Sequence, residues 1–205
     1  MEKTKITLSD FVDFSIKNGP SRLTKIKEIK NREVYHPGKD YWKKFRDGID
    51  KYHRNNYSKD YLNNLVNDVT EVRKKNYLNA VNYYKKFIGK KDLQWFEPKK
   101  DYWHFSNSSI NVNPELGLVI KDEPHIIKLY FKEDKSKPDT VLDKRKLSTI
   151  FFLMEDTLSY DDNYKYSIYN VKSGKLITKN KSLVGIKEIL ESDILALEHM
   201  WRSIT

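Results

Sequence analysis

The chain has 205 residues, of which 38% are apolar, and this length is sufficient for one large domain or two small ones. It contains no cysteine, which excludes disulfides, thiolate metal sites and a cysteine nucleophile and favours a reducing cytoplasm. The net charge of +10 is uneven, because residues 1–100 hold 24 Lys and Arg against 13 Asp and Glu, whereas residues 101–205 hold 15 against 16.

The sequence predicts no contact with a membrane. The segment MEKTKITLSD has neither the apolar run nor the small-residue cleavage site of a signal peptide. No apolar run approaches the roughly 18 residues that a membrane-spanning helix needs. We therefore expect a cytoplasmic protein without a membrane partner.

Residues 1–92 predict a basic helical region. Helical spacing of apolar residues and the turn residues between them predict four helices. The longest is predicted as one continuous helix, because its apolar residues recur in steps of three and four. The helices are predicted to start at Thr7, Ser21, Asp40 and Ser58, and the long one runs from Ser58 to Ile88.

The outer faces of this long helix carry basic side chains that predict contacts with nucleic-acid phosphates. Lysine (32 residues) greatly outnumbers arginine (7 residues), which argues against sequence-specific recognition because arginine reads base edges better. AT-rich coding gives the same lysine excess without any binding function, so that alternative stays open. The candidate phosphate-binding residues are Arg73, Lys74, Lys75, Lys85 and Lys86.

Residues 93–205 predict an α+β region, either separate from the helical region or continuous with it in one domain. The predicted elements are a three-strand meander that ends in the strand His125–Lys132, a helix from Pro138, a hairpin from Tyr164 to Thr178 and a last helix capped by Ser182. The fold class is therefore α+β: a helical N-terminal half with one long helix, then a mixed, mainly antiparallel sheet that the C-terminal helix covers.

A helix, three strands, a helix and a strand follow one another in this order, which resembles the core of the restriction-endonuclease-like fold. The resemblance implies an acidic residue near the second strand and an acidic-x-Lys pair on the third, where carboxylates hold a divalent ion such as Mg²⁺. The matching candidates are Glu115 and Lys128. The position two before Lys128 is Ile126, so Asp122 or Glu123 would have to supply the second carboxylate. The resemblance implies either a nuclease or an inactive relative that only binds.

A second candidate site lies in the segment RDGIDKYH. Arg46 and His53 are seven residues apart and share one face of a helix. Arg-x6-His resembles the motif of the HEPN ribonucleases, which implies histidine as acid or base and arginine as a clamp on the phosphate. The resemblance covers eight residues only. The alternative is a solvated basic helix face beside Lys43 and Lys51.

No cofactor is predicted, and Mg²⁺ is implied only by the nuclease hypothesis. The five histidines lack the spacing of metal ligands. Aromatic residues such as Tyr41 and Trp42 could stack on bases, although residues at such helical or strand spacing more often belong to a core. Three functions stay open: a nucleic-acid-associated protein, including one on a degenerate nuclease-like fold; a protein–protein interaction subunit without catalytic activity; and a metal-dependent nuclease.

Overall fold

The computed structural model describes residues 4–134, 136–181 and 183–204. Seven α-helices and eight β-strands lie within these residues, in an order that confirms the α+β class. The helices are α1 (Leu8–Ser15), α2 (Pro20–Lys30), α3 (Lys43–Arg54), α4 (Tyr61–Asn67), α5 (Glu71–Ile88), α6 (Lys144–Leu158) and α7 (Ile186–Ser203). The strands are β1 (Thr4–Thr7), β2 (Leu93–Phe96), β3 (Asp101–Phe105), β4 (Ser108–Val112), β5 (Leu116–Ile120), β6 (Glu123–Tyr130), β7 (Lys165–Asn170) and β8 (Lys175–Thr178).

A five-stranded sheet in the order β2-β5-β6-β7-β8 forms the middle layer of the molecule. Its central strand, β6, pairs antiparallel with β5 and parallel with β7, and the other pairs are antiparallel. The parallel pair requires a crossover connection, which α6 provides. The sheet is therefore mixed and mainly antiparallel, and the strand predicted at His125–Lys132 is confirmed as its centre.

A second, three-stranded sheet has the order β1-β4-β3, with β1 parallel to β4 and β3 antiparallel to it. The predicted meander therefore divides: β3 and β4 form one hairpin in this sheet, while β5 and β6 form another in the five-stranded sheet. The sequence analysis did not predict β1 or β2. Both are only four residues long, which is too short for an alternating pattern to stand out from its surroundings.

Helices cover both faces of the five-stranded sheet. One face packs against α3, α4 and α5, and the other packs against α6 and α1, with α7 resting on α1, α2 and α6. Successive side chains of a strand point to opposite faces of its sheet. In β6, Ile126 therefore packs in the core beneath α1 and α6, and Ile127 packs in the core beneath α3, α4 and α5. Residues from both sides of position 92 share each core.

The single long helix predicted from Ser58 to Ile88 is wrong. It is divided into α4 and α5 by Asp68, Val69 and Thr70. Thr70 has an extended backbone and is the N-cap of α5, and β-branched residues such as Val69 have lowered helix propensity. The apolar stripe nevertheless continues across the break, because both helices turn their apolar faces towards the same core.

The start of α1 agrees with the sequence analysis. Thr7 Oγ1 accepts a hydrogen bond from the Asp10 backbone N–H over 3.1 Å, as an N-cap residue does. The predicted cap of the last helix, Ser182, lies outside the described residues. In the part of the chain that the structure describes, no helix is both long and apolar enough to cross a bilayer.

Candidate nucleic-acid interface

Glu115 and Lys128 meet at one end of the five-stranded sheet. Glu115 immediately precedes β5, and the antiparallel pairing places the start of β5 beside the later part of β6. Lys128 Nζ donates to Glu115 Oε1 over 2.6 Å and to the Asn113 carbonyl over 2.8 Å. The Leu129 backbone N–H donates to Glu115 Oε2 over 2.7 Å. Both carboxylate oxygens are therefore engaged in joining the two strands.

The second carboxylate that the nuclease resemblance implies does not join this pair. Ile126 is fully buried in the core, and Asp122 and Glu123 lie at the β5–β6 turn, which is the opposite end of the hairpin. Among residues 4–134, 136–181 and 183–204, no group of three or more His, Asp and Glu side chains could hold a metal ion. The residues present at this end of the sheet do not fit the divalent ion.

Arg46 and His53 lie on α3 but have different partners. Arg46 forms an ion pair with Asp40, and its guanidinium carbon is 5.9 Å from the centre of the Phe131 ring. His53 Nε2 forms a hydrogen bond of 2.7 Å with the hydroxyl of the fully buried Tyr84. Burial lowers the pKa of His53 to about 4, so its imidazole is neutral at pH 7. The structure does not bring these two side chains to one phosphate.

Two of the five basic candidates on α5 lie on the side of the helix that faces α4. Lys85 Nζ donates to Asn63 Oδ1 over 2.7 Å, and Asn63 belongs to α4. Lys74 is three turns away on the same side of α5, and its ammonium group pairs with Glu71. Both lysines are half-buried and already have polar partners.

The other three basic candidates of α5 separate further. Lys75 and Lys86 are exposed on the solvent side of the helix, opposite its buried face. Arg73 is half-buried at the first turns of the helix, where its guanidinium carbon is 4.9 Å from the centre of the Tyr41 ring. The five side chains therefore do not form one basic surface, and only Arg73 reaches the end of the sheet.

An open groove of about 610 Å³ lies at the end of the sheet where β6 and β7 finish. In open parallel α/β sheets, ligands bind outside the carboxyl ends of the strands, and β6 and β7 are the parallel pair of this sheet. Four segments form it: the residues before α3, one side of α5, the segment after β6 and the turn after β7. We call it the sheet-end groove; its lining includes Tyr41, Trp42, Asn76, Asn79, residues 131–134, Lys137 and Lys172.

A rigid aromatic wall forms one part of the sheet-end groove. The Trp42 ring stacks against Tyr77 and Phe131, with ring centres 5.1 Å and 5.2 Å apart. Tyr41 meets Trp42 edge to face at 5.0 Å. Tyr41, Trp42 and Phe131 are all only partly buried, so each retains surface that faces the groove.

Three cations lie at or beside the groove: Lys137 and Lys172 line it, and Arg73 contacts the ring of Tyr41, which also lines it. We call these three residues the groove cations. Lys172 Nζ lies 5.4 Å from the centre of the Trp42 ring, and Arg73 contacts the adjacent ring of Tyr41. Within the described residues, none of the three groove cations has a carboxylate oxygen within 4.0 Å. Lys132 also lines the groove, but it pairs with Asp13.

Two carboxylates share the groove with these cations. Asp134 Oδ1 accepts hydrogen bonds from the Ser136 backbone N–H and hydroxyl over 3.0 Å and 2.7 Å. These bonds, with the charges of Lys137 and Lys172, hold the pKa of Asp134 below its usual value. Glu133 Oε2 is buried without a hydrogen-bond partner among the described residues. The groove cations therefore outnumber the acids by one.

Sequence reasoning identified one groove cation and missed two. Lys137 and Lys172 lie in turns of the second half of the chain, whose 15 basic residues are outnumbered by 16 acidic ones. The charge of that half gave no signal for them. The rings of Tyr41 and Trp42 were noted as stacking candidates, and the structure places both at the groove.

No protein-family model matches this chain, and no curated protein is significantly similar to it in sequence. The functional argument therefore depends on the geometry of the sheet-end groove and on the chemistry of its side chains.

Proposed function

We propose that this is a cytoplasmic nucleic-acid-associated protein that binds phosphates at the sheet-end groove and does not catalyse a reaction there. The observation that carries the proposal is the position of the groove cations. Three positive side chains without carboxylate partners, among the residues described, lie at or beside the groove that holds the aromatic wall. A cation beside an aromatic ring suits a ligand that alternates phosphates with flat bases.

The composition of the groove favours binding without sequence specificity. Two of its three cations are lysines, which act on phosphates as point charges, and only Arg73 has the planar fork that reads base edges. Phosphate contacts supply most of the affinity in non-specific binding and make it dependent on salt. A basic helical half still contributes to the long-range attraction of a polyanion, even though its lysines on α5 face several directions.

Binding is better supported than the alternative of a metal-dependent nuclease. A nuclease of the type implied by the resemblance needs carboxylates free to coordinate a divalent ion. Here one oxygen of Glu115 accepts from Lys128 and the other from the backbone of Leu129. A degenerate nuclease-like fold that retains binding is consistent with this arrangement.

A protein–protein interaction subunit is the second candidate, and it has an observation of its own. Val72 and Leu78 on α5 are 88% and 48% exposed. Exposed apolar side chains on one helix favour a protein partner when they form a continuous patch. Position 72 and position 78 lie on different sides of α5, which favours the first proposal over this one.

Direct binding measurements test the proposed function. Fluorescence anisotropy of labelled DNA and RNA oligonucleotides, single-stranded and duplex, would be recorded at low ionic strength and then between about 50 mM and 200 mM salt. We expect binding that weakens steadily with the logarithm of the salt concentration. Absence of salt-dependent binding to every probe would contradict the proposal and favour the interaction subunit.

The variant Glu115→Gln separates a binder from a nuclease. We expect wild type and variant to bind the oligonucleotides with affinities within about twofold of each other. Glu115 does not line the sheet-end groove, and a carboxylate does not attract phosphate. Neither should cleave them when Mg²⁺ is added. Cleavage by the wild type that the variant loses would instead establish the nuclease alternative.

A further inference from the structure

We propose that the sheet-end groove receives an unpaired nucleotide, so that the protein binds single-stranded nucleic acid in preference to duplex. This inference rests on the proposed function and adds the form of the strand. The aromatic wall, the small number of groove cations and the two amides of α5 support it separately.

The aromatic wall is suited to bases whose faces are free. In a duplex, each base face is covered by its neighbours, whereas in a single strand it can stack on a protein ring. Tyr41, Trp42 and Phe131 line the groove and are only partly buried. The contacts of Trp42 with Tyr77 and with Phe131 hold these rings in place before a ligand arrives, which reduces the ordering that binding requires.

The number of cations is too small for a typical duplex footprint. Proteins that grip duplex DNA commonly neutralise about 6–10 phosphates. The groove has three cations without carboxylate partners among the described residues. The exposed Lys75 and Lys86 cannot extend this set, because they lie on the solvent side of α5. Three contacts suit the phosphates on either side of one or two nucleotides.

Two amide side chains of α5 line the groove. Asn76 and Asn79 line it one turn apart, and an amide offers both donors and an acceptor. Asn76 Nδ2 donates to the Tyr41 hydroxyl over 2.8 Å, which leaves its carbonyl oxygen directed elsewhere. Amides at this position can satisfy the polar edge of an unpaired base without selecting one base strongly.

The volume of the groove agrees with a ligand of this size. Pockets for small molecules span about 300–1,000 Å³, and the groove has about 610 Å³. An unpaired base with flanking phosphates is presented by a strand and also by a free nucleotide. We infer a strand, because the groove is open and its cations lie beside different rings, Arg73 at Tyr41 and Lys172 at Trp42.

Three probes of matched length test the inference with the full chain. They are a labelled oligothymidylate, a strand of the same length in which every nucleotide is abasic, and a duplex. The abasic strand keeps the phosphates and removes the rings. We expect the oligothymidylate to bind about tenfold more tightly than the abasic strand, because stacking on aromatic side chains contributes about 1–3 kcal/mol per base. It should also bind more tightly than the duplex.

The outcomes distinguish this inference from the proposed function. Equal affinity for all three probes would overturn the preference for an unpaired base while phosphate binding stands. No binding of any probe would overturn both. Displacement of the oligothymidylate by an equal concentration of thymidine monophosphate would show that the groove binds free nucleotides. It would overturn the inference that the ligand is a strand.

A matched pair of tyrosine variants locates the preference. Tyr41→Leu should abolish the difference between the oligothymidylate and the abasic strand. It should weaken binding of the abasic strand by less, since there it affects only the contact of the Tyr41 ring with Arg73. Tyr57→Leu is the control, because Tyr57 is 44% exposed and lies beyond the other end of α3. If Tyr41→Leu does not fold, Asn79→Ala takes its place, since Asn79 is exposed on α5. A difference between probes that survives both groove variants would contradict the inference.

Discussion

The cations packed beneath α7 and the cations around the sheet-end groove have the same charge but opposite surroundings. Beneath α7, the carboxylate of Asp193 accepts from Arg22 over 2.5 Å, from Arg145 over 2.8 Å and from the Ser15 hydroxyl over 2.5 Å. We call these four residues the α7 ion network. Its carboxylate is only 6% exposed, and it joins α1, α2, α6 and α7.

A second set of paired cations joins α1 to α2 and the segment after it. Arg32 donates to both carboxylate oxygens of Asp10 over 2.8 Å, and Lys25 Nζ is 3.2 Å from the same carboxylate. Burial on its own would raise the pKa of Asp10, but the hydrogen bonds from Arg32 and Thr7 and the charge of Lys25 hold it well below its usual value. These cations stabilise the packing of α1 on α2.

The comparison teaches that a count of charges does not show which cations are available to a partner. The whole basic excess lies in residues 1–100, yet several cations there are neutralised by carboxylates. Two of the groove cations come from the half with no basic excess. A cation is available to a partner when the folded chain places no carboxylate next to it. Within the described residues, the three groove cations meet this condition.

Removing the shared carboxylate of the α7 ion network should have the largest effect. Asp193→Ala leaves Arg22 and Arg145 close together without their counter-charge, and breaking a buried ion pair in this way costs about 3 kcal/mol. Urea denaturation measures the loss in the free energy of unfolding. Glu33→Ala, in a pair whose carboxylate is 76% exposed, should change it by less than about 0.5 kcal/mol. Equal effects of the two variants would show that the α7 ion network contributes no more to stability than an exposed ion pair does.

The pH dependence of stability tests whether His53 belongs to the core rather than to a binding surface. The pKa of His53 is about 4 in the folded chain and 6.5 in its ordinary state. Between these values only the unfolded chain binds the proton, so the free energy of unfolding falls as the pH is lowered from about 6.5 to 4. We expect His53 to contribute about 2 kcal/mol to this fall.

Two histidine variants isolate this contribution. His53→Gln should remove its part of the slope between pH 6.5 and pH 4, as followed by thermal or urea unfolding at each pH. His36→Gln should leave the slope unchanged, because His36 is exposed and hydrogen-bonds only locally, to the Gly38 backbone. A wild-type slope that His53→Gln leaves intact would place His53 in solvent and return it to the list of surface candidates.

The elements that sequence reasoning predicted well are those that depend on local signals. The N-cap at Thr7 is determined by residues three positions apart, and β6 is recognised by a continuous apolar run. The helix predicted from Ser58 to Ile88 was wrong because periodicity cannot distinguish one helix from two that share a core. The division of the strands between two sheets depends on pairing of β1 with β4, about a hundred residues apart, which no local pattern encodes.

The candidate site was less predictable than the fold for a related reason. The sheet-end groove combines Tyr41, Asn79, Phe131 and Lys172, which come from four separate segments. A spacing rule identifies residues on one element, as it did for the basic residues of α5. It cannot show that two lysines in turns remain without carboxylates, because that depends on the contacts of the finished fold.

The most direct test compares two double variants that each remove two positive charges. Lys137→Gln with Lys172→Gln changes the groove, and Lys75→Gln with Lys86→Gln changes the solvent side of α5. For a single-stranded oligonucleotide, the slope of log affinity against log salt should fall by about 1.4 in the groove variant and stay unchanged in the α5 variant. The groove variant should also bind about tenfold more weakly at low salt. Equal losses in the two variants would show that net charge, not the groove, binds the strand.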